Sequence, residues 1–175
     1  MSRQEVLAFF DRNAEFIQML PESDQLIVES LKKMKQADIG KMYGMTQGAV
    51  SAKFRKIRRR FEFLETVKIF DITNFEEDLK IIDEHITPFE VELLRYFAKT
   101  TSQSATARIL NGLFSLSGLD KMNQVKVRYR FLMILDRLKQ KKEEPLARKY
   151  FDFFSFINAN IYMMYDLKLP QFDRM

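Results

Sequence analysis

The chain of 175 residues carries 29 lysines and arginines, 24 aspartates and glutamates, one histidine and no cysteine. Without cysteine it can form no disulfide, iron–sulfur cluster or thiolate zinc site, and one histidine is too few for the common zinc sites. Catalytic pairs of histidine with cysteine or serine are nearly excluded as well, so we expect no bound metal, no cofactor and no enzymatic activity.

Turn residues are scarce. Five glycines and four prolines are too few for the many tight turns of a β-sandwich or β-barrel, whereas a few long helices need few breaks, so we predict an all-α fold. No apolar stretch approaches the ~20 residues that cross a bilayer, and charges interrupt the first sixteen positions, where a signal peptide would be apolar. These features favour a cytoplasmic protein with no membrane partner.

The charges lie in blocks along the chain. Residues 32–60 and residues 95–142 each have a net charge of +9, whereas residues 61–94 between them have −8. A polyanion that met both basic blocks would be attracted far more strongly than the overall charge of +5 indicates. Solvated lysine-rich helix faces are the alternative explanation, and the repetition of the block makes them the less favoured one.

Apolar spacing predicts four helices in the first half of the chain. Residues 3–20 carry one apolar stripe that stops at Pro21, and a second helix follows that proline. A short third helix, QADIGKMY, ends before Gly44. Thr46 is a good N-cap for a long fourth helix. The apolar face of this fourth helix is predicted to carry Val50, Phe54, Ile57 and Phe61.

The second half opens with the acidic residues 67–86, which we predict to be a helical linker. Thr87-Pro88-Phe89-Glu90 then combines a cap, a proline at the first helical position and a glutamate that can reach back to the cap amide. A short helix over 103–111 leads to an irregular connection. A basic and apolar helix is predicted to follow from Asn123.

The stretch from Leu20 to Arg60 holds a pattern with a specific meaning. Leu-Pro-Glu begins a helix, and the small Gly40 lies where two helices can cross closely. Gly44 lies in a turn that requires positive φ, and the cap Thr46 follows. This pattern resembles the helix-turn-helix of region four of bacterial sigma factors and of LuxR-type regulators. The resemblance implies that the helix after Thr46 enters the major groove of double-stranded DNA.

With Val50 pointing to the core, a step of 100° per residue predicts which side chains face a groove. Those predicted to read base edges are Gln47, Gly48, Ser51, Ala52 and Arg55. Those predicted to contact phosphates are Thr46, Lys53, Lys56, Arg58, Arg59 and Arg60. Six cations within residues 53–60 repel one another at helical spacing, and a polyanion would relieve that repulsion.

The second half repeats this plan in weaker form. Pro21 aligns with Pro88 and, after a slip of ten residues, Thr46 aligns with Asn123. The aligned apolar pairs are Val50 with Val127, Phe54 with Phe131, and Ile57 with Ile134. The second unit, at about 87–138, is either a degenerate helix-turn-helix with a long turn or another helical hairpin. Its candidate DNA contacts are Gln124, Lys126, Arg128 and Arg130.

The predicted organisation therefore has three segments. Residues 1–66 form the first helix-turn-helix domain with its N-terminal helix, residues 67–86 the acidic linker, and residues 87–175 a second helix-turn-helix-like domain with an aromatic-rich C-terminal helix. That last helix, over 146–166, is either buried between the units, which we favour, or pairs with a second chain, so the protein is predicted to be a monomer or a homodimer. The acidic side chains of the linker lack the partners of a metal-dependent nuclease and are predicted to be solvated.

Two functions follow from this reading. The leading one is a sequence-specific double-stranded DNA-binding transcription regulator, similar to sigma region four, with RNA polymerase or another transcription protein as a further candidate partner. The alternative is a helical adaptor or antagonist of the transcription machinery that uses the helix-turn-helix units to dock proteins. Six cations around one helix favour DNA. A complete sigma factor is not expected, because the first twenty residues are too short for a module that opens promoter DNA.

Overall fold

A computed structural model describes residues 2–164 of the chain, with side chains up to Tyr162. These residues form ten α-helices, two short 3₁₀ turns and no strand, which confirms the predicted all-α fold. The helices are α1 (Arg3–Arg12), α2 (Ala14–Ile17), α3 (Glu22–Lys33), α4 (Gln36–Tyr43), α5 (Gln47–Ile69), α6 (Phe75–Ile82), α7 (Pro88–Thr100), α8 (Gln103–Leu113), α9 (Gln124–Gln140) and α10 (Pro145–Asn160). None of these helices is both long enough and apolar enough to cross a membrane.

The described residues divide into two compact units, with the boundary between Lys68 and Ile69 at the end of α5. The first unit contains α1 to α5 and the second contains α6 to α10. Most of the segment predicted to be a linker therefore belongs to the second unit. The physical reason lies in α6, where Phe75, Leu79 and Ile82 are buried while the acidic side chains face outward.

Phenylalanine rings form much of the core of the first unit. The ring of Phe61 on α5 lies 5.9 Å, centroid to centroid, from the rings of Phe9 and Phe16. Phe10 meets Phe54 edge to face, with 5.7 Å between ring centroids. The N-terminal helices are therefore packed onto α5, and they hold its buried face in place.

Asn13 interrupts the N-terminal segment that was predicted as one helix over 3–20. Its buried side-chain amide donates to the carbonyl oxygen of Phe9 at 2.9 Å. The main-chain amide of Asn13 donates to the same oxygen, and a side-chain amide that shares a main-chain acceptor competes with the helix, so α1 ends here and the short α2 follows. The apolar stripe continues across this break, which is why the spacing alone predicted a single helix.

The helix starts predicted for the second unit are confirmed. The Thr87 side chain accepts from the amide of Glu90 at 3.2 Å, and the Glu90 carboxylate accepts from the amide of Thr87 at 3.1 Å, with Pro88 as the first residue of α7. The Asn123 side chain accepts from the amide of Lys126 at 2.9 Å and caps α9. These caps satisfy main-chain donors at both helix starts.

The two units bury the same pattern of anchors. The buried residues on α5 are Val50, Phe54 and Ile57, and their aligned counterparts on α9, Val127, Phe131 and Ile134, are buried too. The connections differ, since three residues (44–46) precede α5 and ten (114–123) precede α9. The two units thus share an order of helices and a buried face, while their identity as tandem helix-turn-helix units stays a prediction.

Three aromatic side chains of α10, Tyr150, Phe153 and Phe154, are buried within the second unit, whereas Phe151 and Phe156 are half-buried. The ring of Phe153 stacks on that of Phe70 with 3.7 Å between centroids. The Tyr150 hydroxyl donates to Asp78 at 2.5 Å. Burial is the main cause that raises the pKa of Tyr150, and this hydrogen bond is the second. Helices of the same unit thus cover these rings. Residues 165 and 166 of the predicted C-terminal helix lie outside the described residues.

Candidate nucleic-acid interface

A tight turn joins α4 to α5 and sets the start of α5. Gly44 has φ of 65°, the left-handed conformation that the sequence predicted. The amide of Met45 donates to the carbonyl oxygen of Gly40 at 2.7 Å. The Thr46 side chain accepts from the amide of Ala49 at 3.1 Å, which confirms it as the cap of α5. The first turn of α5 is thereby held against the end of α4.

Gly40 is buried where α4 meets this turn. A Cβ atom on Gly40 would lie 2.5 Å from the carbonyl oxygen of Met45 and 3.5 Å from the amide nitrogen of Gln47. The small residue is therefore required by the turn and by the start of α5. The sequence had suggested a close helix crossing as the reason, and the structure shows that the main chain of the turn is the close neighbour.

Gly40→Ala is expected to lower the free energy of unfolding by about 1–3 kcal/mol, the usual effect of overpacking a tight site, although alanine is the better helix former. The matched control is Gly112→Ala in α8, because a Cβ at Gly112 meets nothing within 4 Å. That control is expected to leave stability unchanged or to raise it by up to about 1 kcal/mol. Urea denaturation followed by circular dichroism measures both. A Gly40→Ala midpoint at or above that of the wild type would contradict this role of the turn.

The outward face of α5 is small, polar and cationic. The predicted base-reading side chains are exposed at Gln47, Gly48, Ala52 and Arg55 and half-buried at Ser51. Gly48, Ala52 and Arg55 lie on the side of α5 away from its buried anchors, whereas Gln47 and Ser51 lie nearer to those anchors, at the start of the helix. The contact of these residues with bases stays a prediction, since the structure holds no partner for this face.

The cations of α5 have different surroundings. Arg55, Lys56 and Arg59 are exposed. The ammonium of Lys53 lies 2.9 Å from Asp24, and the guanidinium of Arg58 lies 2.9 Å from Glu62. Exposure alone thus separates these three cations from the more buried ones of residues 53–60, and Thr46 places a hydroxyl at the start of the helix.

Arg60 requires a correction, because the sequence analysis assigned it to phosphate contacts. The residue is only 1% exposed, and its Nη1 atom lies 3.7 Å from Oδ2 of the buried Asp24. Arg60 comes three residues after Ile57, and this spacing places it toward the buried side of α5. A guanidinium held there cannot reach the phosphates of a DNA duplex.

Asp24 is the residue of this site that sequence reasoning missed. Its carboxylate lies near the cations of both Lys53 and Arg60, and so connects the first turn of α3 with α5. In the sequence it is one of several acidic residues near a helix start, where acidic residues are common for another reason, the helix dipole. Only its burial distinguishes it from Glu22, which is exposed.

The candidate contacts of the second unit are arranged differently. Gln124, Arg128 and Arg130 are exposed on α9. Lys126 is half-buried, and its ammonium donates to the carbonyl oxygens of Leu119 and Lys121 at 2.6 and 3.0 Å. This lysine is therefore committed to the connection that precedes α9. The outward face between the two arginines is apolar, in contrast to that of α5.

Within residues 2–164, no group of three or more acidic or histidine side chains is arranged to hold a metal ion. Comparison of the chain with protein-family models, curated proteins and solved structures returns no match. The outward faces of α5 and α9 are therefore the features from which a function can be inferred.

Proposed function

We propose that the first unit binds double-stranded DNA sequence-specifically, as the DNA-binding part of a transcription regulator similar to sigma region four. The observation that carries this proposal is the outward face of α5, which is small, polar and cationic along its first three turns. A helix of this kind fits the major groove, which is about 12 Å wide. The cap and the tight turn before α5 leave the start of that helix exposed at Gln47 and Gly48.

Each base-reading side chain has a defined part in this proposal. The guanidinium of Arg55 can donate two hydrogen bonds to guanine, and the amide of Gln47 can pair with adenine. The hydroxyl of Ser51 can donate to or accept from either kind of base. Gly48 and Ala52 leave room for close approach, and the methyl group of Ala52 can contact that of thymine.

Phosphate contacts complete the proposed interface. Lys56 carries an exposed charge at one edge of the base-reading stripe, Arg59 carries one at the far end of that stripe, and the Thr46 hydroxyl lies at the start of the helix. Lys53 and Arg58 can contact phosphates only when they move away from their carboxylate partners, Asp24 and Glu62. Phosphate contacts of this kind position the helix and make the affinity depend on salt.

The test begins with selection of duplexes from a random library by the full chain. Arg55→Ala is then expected to weaken binding to the selected duplex by about 1–3 kcal/mol and to relax base preference at one position. A random duplex should lose less affinity, because it lacks the base that Arg55 reads. Fluorescence anisotropy with both duplexes measures the difference.

Lys56→Ala is the matched variant, since it removes a neighbouring exposed cation that we assign to phosphate. It should weaken the selected and the random duplex alike. An equal loss on both duplexes for Arg55→Ala would contradict its role as a base reader. If the full chain bound no duplex, with its helices intact by circular dichroism, the proposal of a DNA-binding regulator would give way to that of a protein adaptor.

Docking of a protein is the second candidate function, and one observation favours it for the second unit alone. The outward face of α9 exposes large apolar side chains where α5 exposes small and charged ones. A regulator that joins DNA through one unit and a transcription protein, such as RNA polymerase, through the other would account for both faces.

A further inference from the structure

A stripe of exposed apolar side chains runs along α9. Its members, which we name the α9 stripe, are Val125, Tyr129, Leu132 and Met133, between 40% and 74% exposed. At 100° per residue these four positions share an arc of about 100° on the helix. That arc lies opposite the buried anchors of α9, so the α9 stripe is no part of the core of its own unit.

The aligned positions of α5 show that this stripe is specific to the second unit. The residues aligned with the α9 stripe are Gly48, Ala52, Arg55 and Lys56. Two of these are small and two are cationic, whereas all four members of the α9 stripe are large and apolar. Such side chains find no complement in the charged backbone of a nucleic acid, and they gain free energy when a protein surface covers them.

The long connection before α9 exposes a further apolar side chain. Leu119 is 95% exposed, and its carbonyl oxygen accepts from Lys126 in the first turn of α9. The side chain of Asn111, in α8, forms two hydrogen bonds with the main chain of Met122 near the start of α9, of 2.9 and 2.6 Å. The connection, which has ten residues where the first unit has three, is therefore held to α8 and to α9 by these hydrogen bonds.

Basic side chains lie on both sides of the α9 stripe. Arg128 flanks it on one side and Arg130 on the other, whereas Arg137, farther along the second flank, is paired with Asp83 and Glu90 of its own unit. The whole of α9 carries five basic side chains against one acidic one, Asp136. A second copy of this chain would bring like charges together along both flanks, whatever the direction of the pair. Carboxylates on the partner would instead complement both flanks.

We propose that the α9 stripe docks an amphipathic helix of another protein, with an apolar ridge flanked by carboxylates. A partner strand is excluded, because the main-chain groups of α9 are engaged within the helix and offer no sheet edge. The rise from Val125 to Met133 is about 12 Å, or two turns, which suits one crossing helix. Tyrosine and arginine carry much of the binding energy in many interfaces, and α9 has Tyr129 within the stripe and Arg130 on its flank.

The experiment uses the full chain and two labelled helical peptides of twenty residues. Both carry leucines at a spacing of three and four residues, flanked in one by glutamates and in the other by lysines. Anisotropy is expected to show binding of the acidic peptide at least tenfold tighter than that of the basic one. The double substitution Val125→Gln, Tyr129→Gln should weaken the acidic peptide at least tenfold. Ile81→Gln, which removes another exposed apolar side chain of the second unit, should leave it unchanged.

The double substitution Arg128→Glu, Arg130→Glu should reverse the preference between the two peptides. Equal binding of the two peptides, or an equal loss with Ile81→Gln, would overturn the proposal. Three other occupants would also overturn it. If sedimentation equilibrium showed a dimer that dissociates in the Val125→Gln, Tyr129→Gln variant, the occupant would be a second copy of the chain. If the chain bound phosphatidylserine vesicles and the same variant lost this binding, the occupant would be a lipid surface. A tenfold loss of duplex DNA affinity in the arginine variant would assign the face to nucleic acid.

Discussion

Replacing Arg60 with alanine is expected to lower the free energy of unfolding by about 3 kcal/mol, because it removes one partner of a buried ion pair. The side chain of Arg60 is almost fully buried beside Asp24. Its aliphatic stem also packs in the core of the first unit, and this contact would be lost with the charge. Urea or thermal denaturation of the variant measures the effect. The carboxylate of Asp24 would retain Lys53, which keeps the loss below the upper end of the usual range.

Arg59→Ala is the matched control, since it removes the same side chain one position earlier, where it is exposed. Its stability should stay within about 0.5 kcal/mol of the wild type, as for most surface substitutions. Its affinity for duplex DNA should fall, whereas Arg60→Ala should retain that affinity as long as it is folded. If Arg60→Ala were as stable as Arg59→Ala, the burial of Arg60 would be wrong.

Arg59 and Arg60 show which features of α5 could be predicted from the sequence and which could not. The helix of α5, its cap and its buried anchors could be predicted, because they rest on local spacing and on residues within one turn of each other. The partner of Arg60 lies on another helix, and a cationic run gives no sign of which member faces inward. A helical wheel marks Arg60 as a borderline position, and the decision depends on the distant Asp24.

The segment after α5 was predicted to be a linker, and its residues from Ile69 onward belong to the second compact unit. Its acidic residues suggested a solvated linker, and they are indeed mostly exposed. Its few apolar residues, however, pack on aromatic rings much later in the chain. Phe75, for example, packs on Tyr150 and Phe154, which come about eighty residues after it. The many acidic residues of such a segment indicate that one side of it is exposed. Which compact unit the segment belongs to depends on the packing of its few apolar residues against distant parts of the chain.

The face of α9 could have been found from the sequence. The alignment that placed Val127 beside Val50 already fixes which residues of α9 point outward. These outward positions include the apolar Val125 and Tyr129 as well as the arginines. The sequence therefore predicted a repeated scaffold, and the difference between the outward faces of its two copies emerged only with the exposed fractions of their side chains.

The affinity of the full chain for duplex DNA is expected to fall about 10²- to 10³-fold between 50 and 200 mM salt. Three cations within residues 53–60 of α5 are exposed, and Lys53 and Arg58 can add to them. With about 0.9 counterions released per phosphate, three to five contacts give a slope of log affinity against log salt of about −3 to −5. A titration of anisotropy against salt measures this slope.

Contacts through both basic blocks would give a slope of about −7 to −9 instead, because the phosphates of the second unit would add to those of the first. The double substitution Lys56→Ala, Arg59→Ala should make the slope less steep by about 2, one unit for each lost phosphate contact. Arg128→Glu, Arg130→Glu should leave it unchanged if α9 binds protein. A slope near −8 that the second variant reduces would place α9 on DNA beside α5, and the chain would then be a two-headed DNA-binding protein with no docking face on α9.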